Sequence, residues 1–440
     1  MDTKLTLILG LILNAVILPL AFKRVIFLVR LITGGQPAPD RIVGVTSRLN
    51  KALKNQLVEV LGQKKLLKWS IPGIAHSFVM YAFLILGTVY VEAYMVLLST
   101  KADAHFLIFN DWGVLGFGQD LIGVLCLVGL AIFALIRYKN QPAKLGRKSR
   151  FKGSHTGGAW VVLIMIFNVI WTMFFFRGAA SLEGNLGYGK AAFASYGVGR
   201  FFHALGFDEG TGALKTLEGI GLLLHIGIML VFLIIVLNSK HLHIFVAPIN
   251  IMFKRPDNSV ALGAVKEMIS AGKPVTLDDV EDLDEDTVLG IGSIEDFSWK
   301  GLLDMASCTE CGRCQSQCPA WNTEKPLSPK MLIMNLRDHA FAKAPYLMAG
   351  GEEGDQSKTS EHALAEAQRP LVGVSEGEYA WHPEGGAIID NDVLWSCTNC
   401  GACVNQCPVD IEHVDHIVDM RRYQVLVEAN FPAELNGLFK

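Results

Sequence analysis

The chain has 440 residues, 51% of them hydrophobic, and a mean hydropathy of +0.35, an apolar share above that of an ordinary soluble domain. Its formal charge of −3 says little about partners, because it averages basic loops with an acidic tail. No Gly-rich dinucleotide fingerprint follows a strand and no Walker loop is present, so neither a flavin nor a nucleotide site is indicated, and no nucleic-acid partner is expected.

The apolar excess lies before residue 250. Runs at Leu5–Phe22, Ile71–Leu98, Leu121–Ile136, Ala159–Phe176 and Leu217–Leu237 are each near or above the roughly 18 to 20 residues that span a bilayer, the third with its Gly- and Trp-rich flank. Five transmembrane helices are expected. The first is not read as a signal peptide, since only Lys4 precedes it and no small-residue cleavage site follows. Residues 23–70 carry Lys23, Arg24, Arg30, Arg41, Arg48, Lys65 and Lys68 among their cations, and residues 137–152 carry Arg137, Lys139, Arg147 and Arg150, whereas residues 99–120 hold only Lys101. By the positive-inside rule the two basic loops are cytoplasmic, the amino terminus is outside, and everything after the fifth helix is inside the cell membrane. Glu92, Asp120 and Glu218 stand out in apolar surroundings; they are read as outer-interface residues, with proton delivery to a membrane quinone as the alternative.

Histidines are the second signal in this half. His76 falls near the cytoplasmic start of helix two and His243 just past the cytoplasmic end of helix five, while His225 lies in the outer half of helix five. One such imidazole would ordinarily bond a carbonyl or snorkel to the interface. Two at one depth on antiparallel helices can ligate one b-type haem from its two faces. His155, at the mouth of helix four, has no partner at its depth and is read as interfacial; His105 and His203 fall in outer loops.

With five helices, an outside amino terminus, and His225 followed by Ser239-Lys240-His241-Leu242-His243, this half resembles the gamma subunit of respiratory nitrate reductases. The resemblance implies a five-helix haem b bundle over residues 1–250, with His225 and His243 matching the two helix-five ligands. His76 matches the first of two helix-two ligands, but Leu86 occupies the place of the second. The resemblance therefore supports a haem between His76 and His243, with His241 as the alternative to His243 by a small rotation, and leaves His225 without its partner.

Residues 251–300 read as a polar linker containing the acidic block 278–286, a solvated spacer by the ordinary rule for charge runs. Residues 301–440 contain eight of the nine cysteines, in two identical runs: Cys308-x-x-Cys311-x-x-Cys314-x-x-x-Cys318-Pro319 and Cys397-x-x-Cys400-x-x-Cys403-x-x-x-Cys407-Pro408. Thiolates are soft ligands that iron–sulfur clusters take, and in two-cluster ferredoxins the fourth cysteine of each run ligates the other cluster. One [4Fe–4S] cluster is thus expected on Cys308, Cys311, Cys314 and Cys407, and another on Cys397, Cys400, Cys403 and Cys318. Structural zinc has no use for a doubled four-cysteine run ending in proline. Cys126, in an apolar run, is read as a small buried hydrophobe. Ser328-Pro329 offers a cap and first-turn proline for a helix over 330–342, and apolar residues recur at helical intervals over 411–428, so this domain is expected to be a mostly helical, ferredoxin-type two-cluster unit. The remaining histidines here, His339, His362, His382, His413 and His416, read as surface or capping residues.

The stretches Trp395–Cys407 and Val409–Tyr423 make the whole arrangement similar to membrane-bound heterodisulfide-reductase-type proteins, and among them to the actinobacterial electron-transfer-flavoprotein:menaquinone oxidoreductases. That resemblance implies electron-transfer flavoprotein as donor and menaquinone as acceptor. In that family cysteine-rich modules with a Cys-Cys-Gly signature continue the chain; none occurs before Lys440, which implies a separate Cys-Cys-Gly subunit or a shorter piece. The direction of flow stays open at this stage. A quinol-oxidising heterodisulfide or sulfite-pathway subunit and a non-catalytic anchor and electron wire are the other two readings.

Overall fold

The computed structural model describes residues 3–99, 112–255, 267–270, 273–275, 283 and 289–438. The expected acidic spacer at 278–286 lies outside the described residues apart from Leu283, as does His105.

Five helices are long and apolar enough to cross a membrane: α1 (Thr3–Thr33), α2 (Ser70–Leu98), α3 (Gly113–Lys139), α4 (Thr156–Leu182) and α6 (Gly212–Leu237), with the shorter α5 (Phe193–Ala204) before the last. The expected five-span, all-helical architecture is what the chain adopts. At about 1.5 Å of rise per residue, each exceeds the roughly 30 Å hydrocarbon core. Helix α1, which contains Pro19, runs past Phe22 through Lys23 and Arg30, with no Gly or Pro between Phe22 and Gly34. Ile8, Val16, Phe22, Leu84, Ile164 and Phe167 are exposed, as lipid-facing side chains would be.

The chain forms two compact units, each discontinuous in sequence. The first comprises Met1–Val25, Leu66–Lys139 and His155–Ser239; the second comprises Ile26–Lys65, Asn140–Ser154 and Lys240–Lys440. The linear reading places a boundary at residue 250, whereas the chain passes from one unit to the other after Ser239, and most of both basic loops belongs with the iron–sulfur half. The physical reason is side-chain pairing: Arg41 and Lys65 of the first loop meet Glu412 and Asp410, and in the second loop Arg147 donates to the Trp321 carbonyl while Lys330 donates to the Lys152 carbonyl.

In the first unit α2 packs against α3, and α4 against α6. Gly129 lets α3 close on α2, since a Cβ there would stand 2.8 Å from the Ala75 carbonyl oxygen. Val89, Cys126, Leu130, Ile170, Ile226 and Leu230 form the core of the interface. Tyr94 Oη donates to Asn14 Oδ1 at 2.6 Å, tying α2 to α1.

The second unit is built on α7 (His243–Met252), α8 (Trp299–Ser307), α9 (Pro329–Met348) and α10 (His413–Leu426). Ser328 caps α9, its Oγ accepting from Met331 N at 3.2 Å, with Pro329 in the first turn. Short strands lie between the cysteine runs: Val372–Gly373 pairs in parallel with Ile389–Asp390, and Ser375–Glu376 antiparallel with Gly385–Gly386. Phe297, Met305, Leu327, Ile333, Leu336 and Ile417 fill the core.

A buried polar network crosses this core. Asp304, fully buried on α8, accepts from Lys300 Nζ at 2.6 Å, Asn250 Nδ2 at 2.7 Å, His416 Nε2 at 3.1 Å and Glu412 N at 3.2 Å. Beside it, Glu412 takes a two-pronged pair from Arg41 at 2.7 and 2.6 Å. Asp410 pairs with Lys65 and, at 3.5 Å, with Lys254; Asp415 pairs with Arg255 at 2.8 Å. His413 and His416 are therefore not surface residues, nor is His339, which bonds Glu366 at 2.8 Å; all three are buried, while His362 and His382 are exposed as expected.

Burial pushes the His413 imidazole down to about 4, His416 adding to the effect and Asp304 opposing it. For Glu412, burial would raise the carboxyl, but Lys300 and Arg41 outweigh it and hold it at about 2. Both folded values lie below the unfolded ones, about 6.5 and 4.3, so the unfolded chain binds protons first as pH falls. Stability should thus decline between about pH 6.5 and 4 through His413, and from about 4.3 toward 2 through Glu412. Circular dichroism of the detergent-purified protein across pH should show the first decline in the native chain and its loss in His413→Gln.

Candidate functional site

The two cysteine runs repeat one backbone. In each, the residue two beyond the first cysteine has positive φ, Glu310 at 54° and Asn399 at 53°, and so does the glycine two further on, Gly312 at 74° and Gly401 at 70°. A short helix follows each glycine, Arg313–Ser316 and Ala402–Gln406. Left-handed backbone is uncommon outside glycine. Its recurrence at matching positions gives the two loops the same backbone turn between their first and third cysteines. At Gly312 a side chain would also collide with the Arg150 carbonyl.

The structure gathers the thiols across the runs. Cys314 lies within electrostatic reach of Cys308, Cys311 and Cys407, and also of Cys403 in the second run, and Cys407 of Cys311. Cys318 sits with Cys397 and Cys400, and all three with Cys403. All nine cysteines are free. Among the described residues no three His, Cys, Asp or Glu side chains converge tightly enough to hold a single metal ion. Burial pushes the Cys308 thiol up to about 11 and raises Cys314 and Cys403 further, with neighbouring thiols adding to the rise. Such crowded thiols suit a cationic core that would keep them ionised.

Basic residues and amide donors surround both groups. Ile411 N donates to Cys407 Sγ and Asn399 N to Cys397 Sγ, each at 3.4 Å. Arg337 acts on Cys308, and Lys330 on Cys314 and Cys308; Arg421 acts on Cys397 and lies 4.9 Å over the Trp395 ring. Burial lowers the Lys330 ammonium to about 8, and it donates to the Lys152 carbonyl at 2.6 Å and to Ser154 Oγ at 2.7 Å.

The groups differ in cover. Cys308, Cys314 and Cys407 are buried and Cys311 half-buried, whereas Cys400 is exposed and Cys397 half-buried. The first run is roofed by the basic loops: Arg313 Nη1 donates to the Lys65 carbonyl at 2.9 Å and Gln315 Nε2 to that of Ser149 at 3.3 Å. Glu310, between Cys308 and Cys311, pairs with Lys240 at 2.9 Å and Arg337 at 3.0 Å.

Of the candidate haem residues, His76 and His225 belong to the first unit and His243 to the second. His76 is half-buried, its ring edge-on to Phe133 at 6.5 Å. His243 Nδ1–H donates to the Lys240 carbonyl at 3.0 Å, which in the neutral ring leaves the lone pair on Nε2, the arrangement that metal-binding imidazoles use. Burial lowers its pKa, favouring that neutral form. His225 is buried, its Nδ1 3.1 Å from Thr172 Oγ1 and its ring stacked on Phe176 at 5.8 Å. His155 is exposed at the start of α4.

Sequence reasoning missed Arg177. It is fully buried on α4 and pairs with Glu92 at 3.1 Å and Asp120 at 3.6 Å. Glu92 and Asp120 are accordingly buried rather than exposed at an interface, while Glu218 is half-buried and accepts from Asn185 Nδ2 at 3.0 Å.

Residues 307–412 match the family model of the 4Fe-4S dicluster domain. The chain is 30% identical over 393 residues to the EtfAB:quinone oxidoreductase of Syntrophomonas wolfei subsp. wolfei, covering 86% of this chain and 49% of that one. It is 30% identical over 406 residues to the probable iron-sulfur-binding oxidoreductase FadF of Bacillus subtilis, covering 89% and 53%. A probable membrane-anchored ferredoxin of Chromohalobacter salexigens is 39% identical over 161 residues, 35% of this chain and 21% of that one. The chain thus spans about half the length of the two longer matches. No solved structure matches it. These matches and the five spanning helices make it a multi-pass membrane chain carrying a 4Fe-4S dicluster domain.

Proposed function

We propose that the chain conducts electrons in a membrane quinone oxidoreductase, from reduced electron-transfer flavoprotein to menaquinone. The observation that carries this reading is that Cys407 lies within reach of the first-run Cys311 and Cys314, and Cys318 within reach of the second-run Cys397, Cys400 and Cys403, in a chain with five spanning helices. The donor class and the quinone follow the name of the Syntrophomonas relative, and menaquinone the family resemblance. Cys308, Cys311, Cys314 and Cys407 would hold one [4Fe–4S] cluster and Cys397, Cys400, Cys403 and Cys318 the other. His76 and His243 would be the axial ligands of one haem b, and the iron–sulfur unit would face the cytoplasm, as the basic loops require.

When bound, these groups supply one-electron carriers whose potentials follow charge, hydrogen bonding and exposure. The chain's own part is to hold, space and insulate them. The exposed Cys400 loop is the side a soluble flavoprotein can reach. The Cys311 loop is covered within its own unit, where Glu310 pairs with Lys240, whose carbonyl holds His243. Electrons would therefore pass from the second-run group to the first and then to haem.

Anaerobic mixing of the purified chain with reduced electron-transfer flavoprotein and a menaquinone analogue tests the reading; clusters that stay oxidised, or that reduce without passing electrons to quinone, would refute it. Iron analysis should give about eight non-haem irons per chain. Cys318→Ser should remove about four of them and the paramagnetic signal of the cluster on Cys397, Cys400 and Cys403; loss of the other signal instead would overturn the crossed assignment.

For the haem, His76→Ala should abolish the low-spin b-type absorption in reduced-minus-oxidised spectra, and His155→Ala should leave it intact. A pyridine haemochrome assay should give one haem per chain, because Leu86 stands where a second helix-two ligand would be.

A further inference from the structure

Where α2 ends and α3 begins, a polar group is sealed into the first unit. It comprises Glu92 on α2, Gln119 and Asp120 on α3, Arg177 on α4, Ser195 on α5 and Tyr188 from the intervening loop. Gln119, Asp120, Arg177 and Ser195 are fully buried and Glu92 is 8% exposed. Glu92 accepts from Tyr188 Oη at 2.7 Å, Gln119 Nε2 at 2.8 Å and Arg177 Nη1 at 3.1 Å. Asp120 accepts from Ser195 N at 2.8 Å and Ser195 Oγ at 2.9 Å. Every one of these bonds runs from a donor to a carboxylate oxygen, the pattern of two ionised acids.

Two carboxylates therefore face one guanidinium, leaving an excess negative charge inside a bundle read as membrane-spanning. Such an excess is costly unless something neutralises it. One further atom is out of balance: Gln119 Oε1 is buried without a hydrogen-bond partner, while Arg177 Nη2 makes only the 3.6 Å ion pair with Asp120. Gln119 Nε2 bonds both Glu92 and Thr88 Oγ1, the latter at 2.9 Å. A half-turn of that amide would bring Oε1 to Glu92, where it could accept only if Glu92 carried a proton. The side chain is thus matched to both protonation states of its neighbour. The other titratable or charged groups facing Glu92 and Arg177 are Asp120, Tyr188 and, on α6, His225. Tyr188 is half-buried and links Glu92 to the loop at the edge of the unit.

We infer that this cluster is a proton-holding site, with Glu92 as the group that takes up and releases the proton, and that it supplies the reduction of a quinone within the bundle. The second part rests on the quinone reading above. Quinone takes two electrons from the iron–sulfur carriers and two protons to become quinol; for each proton delivered here, the Glu92 O–H bond breaks as a quinol O–H forms, and Glu92 is reprotonated from water by way of the Tyr188 edge.

The test uses the full chain with its cofactors in lipid nanodiscs. Infrared difference spectra between high and low pH should show a carboxylic-acid C=O band that disappears in Glu92→Gln. Quinol formation in that variant should fall about tenfold or more, while reduction of ferricyanide, which takes electrons without protons, stays at the native rate and shows the variant to be folded. Glu92→Asp should restore part of the loss, and Tyr188→Phe, which leaves every charge in place, should slow quinol formation several-fold. Native quinol formation in Glu92→Gln with an unchanged infrared band would overturn the inference. If the native chain forms no quinol at all, the quinone reading fails, and the infrared band alone still decides whether Glu92 holds a proton.

Discussion

The carboxylate of Asp304 is the contact on which the iron–sulfur unit depends. It joins α7 through Asn250, its own helix α8 through Lys300, and α10 through His416 and the Glu412 amide. Helix α8 leads directly into Cys308, and the segment ahead of α10 carries Cys407. Locking these together fixes the first cysteine of one run against the last of the other. A cluster cannot position its own ligands before it binds, so the frame must come from protein contacts. Removing one partner of so buried a charge would leave it uncompensated, a cost of about 3–5 kcal/mol.

Around that centre the same charges serve two purposes. Arg41, Lys65, Lys240, Lys254 and Arg255 lie in or near segments that a topology argument assigns to the cytoplasmic membrane surface. In the structure their side chains neutralise Glu412, Asp410, Glu310 and Asp415. Orientation in the bilayer and cohesion of the iron–sulfur unit thus draw on one set of residues. Neutralising any of them would affect both, and helix propensity alone would reveal neither.

The sequence made legible whatever depends on spacing. Five apolar runs became five long helices, the doubled cysteine pattern became two matching loops, and Ser328-Pro329 opened a helix as its chemistry requires. What it concealed depends on partners far along the chain. Arg177 sits inside Phe174-Phe175-Phe176-Arg177-Gly178-Ala179, where hydropathy averaging hides one charge, and its acidic partners lie 85 and 57 positions away in sequence on other helices. His413 and His416 read as polar surface residues on a weakly amphipathic stretch, yet both turn inward because Ile411 O and Asp304 await them. The loops that join the second unit were misplaced for the same reason: Arg41 meets Glu412 across 371 residues, and no local pattern announces that pairing.

The discontinuity of the second unit bears on how the protein is made. Its three segments are separated in the chain by stretches that enter the bilayer, so residues 26–65 and 140–154 are synthesised and anchored well before the groups that bond with them leave the ribosome. Until residues near 412 emerge, those cations have only solvent and lipid headgroups for company, and the first cysteine run lacks Cys407. Closure of the unit is therefore a late, long-range event of high contact order. Loading of the group that includes Cys407 must then wait until that residue has been made, which makes the unclosed, cluster-free chain the species most exposed to degradation during biogenesis.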